Sequence, residues 1–177
     1  MPSSVCPRLQ FCSPQSKPNL RAQRVQLAVF DSRVKELSVL LSGLQPGVRP
    51  FVLNAEKDGI EQISAVIQLV PIHEIVIVAP GFRGGLQLGS TTLTLKNLAQ
   101  YEHQLRGWFS DIDKPEISLL ANSVASGKAG SELVTQLRNI TGATVRASAQ
   151  PIGRGHWLTA TAKTFRPLVL NTYSATL

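Results

Sequence analysis

Side chains able to attack a carbonyl, relay a proton or hold a metal are few in this 177-residue chain, and they are scattered. The cysteines are Cys6 and Cys12, and the histidines are His73, His103 and His156. A thiolate nucleophile needs a neighbouring base or cation to lower its pKa, and a metal site needs ligands paired within a turn or so. The three histidines do not have that spacing, so no metal is expected. Ser123 and Ser126 share a loop without a visible base. Backbone hydrogen bonding in the turn suits Ser123, and helix capping suits Ser126. The run Pro80-Gly81-Phe82-Arg83-Gly84-Gly85 offers three glycines and a cation that could cradle a phosphate. It lacks the lysine of a phosphate loop, and no helix begins directly after it. Its glycines are read as the means by which the chain turns into a hairpin, with Phe82 and Arg83 as exposed contact residues. No catalytic residue and no cofactor follow from these groups.

The elements that must position them alternate between strand and helix. Residues 25–30 read as a strand, after which Asp31 and Ser32 offer a helix N-cap and Val34, Leu37, Leu41 and Leu44 one apolar face. Gly43, Pro46 and Gly47 stop that helix, and residues 50–54 form a second strand. Asp58 and Glu61 make a capping box for a helix with Ile60, Ile63, Ile67 and Val70 on its inner face. The β-branched run Ile75-Val76-Ile77-Val78, without alternation, marks a strand covered on both faces. Residues 86–88 and 91–93 read as a small hairpin around Gly89-Ser90. Thr94 caps a third helix with Leu98, Tyr101, Leu105 and Trp108 on one face. A fourth strand over 117–121 precedes a helix from about Gly127 that carries Leu133, Leu137 and Ile140 inward and stops at Gly142. A fifth strand covers 144–148, and 156–160 is a further strand or hairpin arm. The stretch 163–177 has no clear period. Together these predict an α/β fold: a three-layer sandwich with a mainly parallel sheet and helices on both faces. In such a sheet the functional site lies at the carboxyl ends of adjacent strands. That points to the loops 79–85 and 121–128.

The formal charge is +7, but Arg8, Lys17, Arg21 and Arg24 precede the first acid, Asp31. From residue 25 onward, 14 basic and 11 acidic side chains leave +3, and no basic stripe interleaves with aromatics. Nucleic acid is therefore not the expected partner. Residues 1–24, rich in Pro and Ser, are read as a disordered basic leader carrying both cysteines as free thiols. The domain is read as 25–162, with 163–177 as a C-terminal extension. No apolar run approaches the length of a membrane span.

Several segments, in order and spacing, resemble a bacterial family of unknown function (number 4347), from about residue 25 to 160. They are Val29-Phe30-Asp31-Ser32, Asp58-Gly59-Ile60-Glu61-Gln62-Ile63, Leu86-Gln87-Leu88-Gly89, the helix ending in Trp108, Val124-Ala125-Ser126-Gly127-Lys128-Ala129-Gly130, residues 137–143, and Gly155-His156-Trp157. Members of that family are often found near the start of large surface or secreted proteins with cadherin-like and calcium-binding repeats. The family is similar to the caspase–gingipain cysteine peptidases, so the resemblance implies a caspase-like fold. It also implies a histidine at the end of the third strand and a cysteine at the end of the fourth. Here those positions hold Pro80, followed by Gly81, and Asn122, after Ala121. Proline has no titratable group, and asparagine is a poor nucleophile. The expected reading is a non-catalytic, peptidase-like domain, a binding or structural module. Its vestigial crevice would be lined by Gly81, Phe82, Arg83, Asn122 and Ser123, and its partner would be another protein or peptide. The alternatives are a hydrolase of the same type working through unrecognised residues, and a binder of nucleic acid or an anionic surface through the basic leader.

Overall fold

The computed structural model describes residues 25–153, 159–175 and 177. The leader, with Cys6 and Cys12, lies outside the described residues, as do His156 and Trp157. The chain runs β1 (Gln26–Asp31), α1 (Leu37–Ser42), β2 (Val48–Leu53), α2 (Gly59–Ile67) and β3 (Glu74–Val78). A small insert follows: β4 (Gly81–Phe82), β5 (Gly85–Leu88) and β6 (Thr91–Thr94). Then come α3 (Leu95–Leu98), α4 (Glu102–Arg106), β7 (Glu116–Leu120), α5 (Gly127–Thr141), β8 (Thr144–Ala147) and α6 (Pro167–Thr172).

Five strands form one sheet in the order β2-β1-β3-β7-β8, every neighbouring pair parallel. Successive side chains of a strand point to opposite faces, and here both faces are covered. Leu27 and Val29 of β1, Ile75 and Ile77 of β3, and Ile117 and Leu119 of β7 join one core with Ile60 and Ile63 of α2, Leu105 of α4 and Leu133 of α5. Ala28, Phe30, Val76, Val78 and Leu120 join a second core with Leu40 of α1 and Leu170 of α6. Double coverage explains why β3 is apolar without alternation. Pro50 sits in β2, an edge strand, where its missing N–H costs no central ladder bond. The α/β sandwich expected from the sequence is the fold observed.

Several local expectations are corrected. Asp31 does not cap a helix; it ends β1, and its carboxylate accepts from the N–H groups of Arg33 (2.9 Å) and Gly89 (2.7 Å). The first helix starts only at Leu37, after Glu36 in the left-handed region (φ 51°), and its fully buried residue is Leu40. The third helix is broken: 3₁₀ turns at Ala99–Tyr101 and Gly107–Phe109 interrupt α3 and α4. The pair β4–β5 adds a strand the sequence did not suggest. Thr159–Lys163 is a 3₁₀ turn rather than part of a strand. The stretch beyond it has no readable period, yet it is built into the second core through Phe165, Leu170, Tyr173 and Leu177. No helix among the described residues is long and apolar enough to cross a membrane.

Candidate functional site

Strands β3 and β7 are neighbours in register, Val78 opposite Leu120, so the residues after them emerge side by side. The Ala79 N–H donates to the Leu120 carbonyl at 3.2 Å, extending the pairing past the end of β3. At the next step the backbones nearly touch. A Cβ at Gly81 would stand 2.5 Å from the Asn122 nitrogen and 2.7 Å from the Ala121 Cβ. Only glycine fits such an approach. The Gly84 N–H then donates to the Val124 carbonyl at 3.2 Å. The two loops singled out by the sequence are thus stitched together along their length, and Pro80 and Asn122 belong to one rim.

Each rim residue has a definite task. Pro80 is half-buried, and its carbonyl accepts from the Gln87 N–H at 2.9 Å, which folds the insert back onto the tip. Asn122 is half-buried, and its Oδ1 accepts from the Ile152 N–H at 2.7 Å. Ser123 takes a left-handed conformation (φ 52°). Its N–H donates to the Gln150 carbonyl at 3.2 Å, and its carbonyl accepts from the Ser126 N–H at 2.9 Å. The Ala125 N–H reaches the Ser148 carbonyl at 3.0 Å. The chain leaving β8 is therefore laced to the loop after β7 by three hydrogen bonds, one of them through the Asn122 side chain. Sequence spacing gave no hint of that role. Ser126 occupies the N-cap position of α5, but its side chain makes no capping hydrogen bond.

Phe82 and Arg83 face solvent, Phe82 at 45 % exposure. The Phe82 ring lies across the ladder against Gly85, covering a strand glycine in the way aromatic residues commonly do. The Arg83 guanidinium stands by Gly127 at the start of α5, its Nη2 3.1 Å from where a Cβ would project. The rim thus presents an aromatic face and a cation. Neither loop, 79–85 or 121–128, contains a histidine or cysteine.

The insert is held in place by acids at the same end of the sheet. Asp31, fully buried, takes the Gly89 N–H, and Arg33 donates to the Gly89 carbonyl at 2.7 Å. Asp58 caps α2 by accepting from Ile60 N–H (2.8 Å) and Glu61 N–H (3.1 Å), the expected half of the capping box. Its second oxygen accepts from the hydroxyls of Thr91 and of Tyr101 (2.7 Å). Burial pushes this carboxyl up, but the hydrogen bonds from Thr91, Tyr101, Glu61 and Ile60 outweigh it and hold the group below its ordinary value.

Other candidates lie elsewhere. His73 precedes β3, at the opposite end of the sheet, where its Nδ1 accepts from Val25 N–H at 3.4 Å. His103 is exposed on α4. Trp108 is buried, and its Nε1 donates to Ser64 Oγ at 2.9 Å, a core role. No three His, Cys, Asp or Glu side chains come together in a metal-binding arrangement among the described residues. A groove of about 410 Å³ lined by Leu69, His103 and Trp108 lies on the helical layer and includes neither strand tip.

Compared with known families, residues 27–177 match the model described as Domain of unknown function (DUF4347). No curated protein matches the chain. No solved structure matches it.

Proposed function

The chain belongs to the family described as Domain of unknown function (DUF4347), and from that footing we propose that it is a non-catalytic, peptidase-like module that recognises another protein or peptide at the rim shared by β3 and β7. The caspase-like descent and the loss of a histidine–cysteine dyad at Pro80 and Asn122 are part of this proposal. One observation carries it: at two strand tips close enough to exclude a Cβ between them, the side chains are a proline and an amide already committed to Ile152. A dyad of this kind works by holding a thiol where an imidazole can take its proton. Neither residue can serve in it.

A rim that has lost its chemistry can still bind. Phe82 is half exposed and held in place by packing on Gly85, so it presents apolar area at low entropic cost. Arg83 adds a fork of donors beside it. Exported or surface-bound relatives would fit a recognition role, and this also belongs to the proposal.

The test is selection of a displayed random-peptide library on the full chain, with recovered peptides read by mass spectrometry. Peptides should be retained intact, and Phe82→Ala together with Arg83→Ala should weaken their binding by roughly 10-fold or more, the loss of one good interface anchor. Cleaved peptides, or binding indifferent to both substitutions, would contradict the reading.

A further inference from the structure

The carboxyl ends of the five strands carry charge unevenly. On the β1–β2 side, the end of β1 and the loops after β1 and β2 hold the acids Asp31, Glu36, Glu56 and Asp58 among the cations Arg33, Lys35 and Lys57. Arg33 is committed there, to Asp31 at 3.5 Å and to the Gly89 carbonyl at 2.7 Å. On the β3–β7–β8 side, the loops 79–85, 121–128 and 148–153 contain no acid. Their charged residues are Arg83 and Lys128. The strand order thus sorts mixed charge to one half of this end of the sheet and positive charge to the other.

Packing brings the two cations together. Arg83 is exposed in the turn between β4 and β5, and its Nη2 stands 3.1 Å from where a Cβ of Gly127 would project. A Cβ at Gly84 would likewise stand 3.1 Å from the Ala129 Cβ. Lys128 is exposed between these two points of contact. Neither cation takes part in a salt bridge among the described residues. The one acid of α5, Glu132, lies a turn further on and pairs with neither. Phe82, 45 % exposed, adjoins Arg83 in the chain.

On the footing that this rim is a recognition surface, we infer that its partner is an acidic peptide segment. A carboxylate of the partner lies over Arg83 and Lys128, and a neighbouring apolar side chain lies against Phe82. A guanidinium offers parallel donors that match a carboxylate's two oxygens. The acids on the β1–β2 side repel a carboxylate placed there, so the charge pattern also sets which way the segment lies. A nucleic acid would call for a longer stripe of cations interleaved with aromatic rings, whereas two cations and one ring suit one or two carboxylates.

The probes are two pools of end-blocked peptides built from uncharged residues around a central Phe-Glu in one pool and Phe-Gln in the other, titrated onto the full chain. The Phe-Glu pool should bind roughly 3- to 10-fold tighter at low salt, as two exposed charge pairs allow. The preference should shrink on going from about 50 to about 500 mM salt. Arg83→Gln together with Lys128→Gln should abolish the preference and leave the Phe-Gln pool unaffected, while Phe82→Ala should weaken both pools. Equal binding of the two pools, lost with Phe82→Ala, would overturn the acidic partner and leave peptide recognition standing. Binding of neither pool would overturn both. A preference that survives the double substitution would place its source in other cations and overturn the assignment to this rim. Tighter capture of a random single-stranded DNA oligonucleotide through Arg83 and Lys128 would overturn it in favour of nucleic acid.

Discussion

Asn122 shows how much a single side chain can do at the tip of a strand. Its amide oxygen is the acceptor for Ile152 N–H and so ties the chain beyond β8 to the tip of β7. Asn122→Ala would strand that donor and should cost about 1–2 kcal/mol in urea unfolding, whereas Asn122→Asp, which keeps an acceptor, should cost less. Gly81 is the companion case. A methyl there meets the Asn122 backbone, which cannot yield as a flexible side chain would. Gly81→Ala should therefore cost about 1–3 kcal/mol by the same measurement. The positions of Pro80 and Asn122 were legible in the sequence because apolar runs locate strand ends. The task of Asn122 was not, because its partner lies 30 residues away and no local pattern joins them.

At the level of elements, α2 was readable almost completely. Asp58 caps it, and Ile60, Ile63 and Ile67 are buried at the spacing the sequence displays. What the sequence hid is that the same carboxylate also receives Thr91 and Tyr101 and so pins the β5–β6 hairpin to the helix start. Asp58→Ala should cost about 1–2 kcal/mol, more than the roughly 0.5 kcal/mol or less of an ordinary surface substitution. Because the folded carboxyl lies below its ordinary value, its stabilisation is full above that value and fades as pH falls through the depressed one. Asp58→Asn should flatten that acid-side loss in thermal melts run at several pH values. The first helix illustrates the reverse. Asp31 and Ser32 look like a cap, but Asp31 serves the hairpin turn 58 residues away, and the helix begins later without side-chain capping. Long-range polar demand overrode a local signal.

Over the whole molecule, two cores share one sheet, and the second is completed by the segment with the least periodicity. Residues 163–177 bury Phe165, Leu170 and Tyr173 at irregular spacing around a one-and-a-half-turn helix, so periodicity had nothing to register. Phe165→Ala should cost about 3–5 kcal/mol in equilibrium unfolding, as for a fully buried ring. The fold class, by contrast, was written in the alternation of apolar strands and amphipathic helices, which survives substitution at any one site.

The joining of the β3 and β7 tips into one rim, and the proposed loss there of a histidine–cysteine dyad, can be probed by placing those two side chains at the tips. In a Cys6→Ser, Cys12→Ser background, the alkylation rate of the thiol introduced by Asn122→Cys should be compared with and without Pro80→His across pH. With the histidine present, the thiol should react faster at neutral pH and its profile should shift to lower pH, as for an imidazole within hydrogen-bond reach. Equal rates and superimposable profiles in the single and double variants would show that the two positions do not face one another.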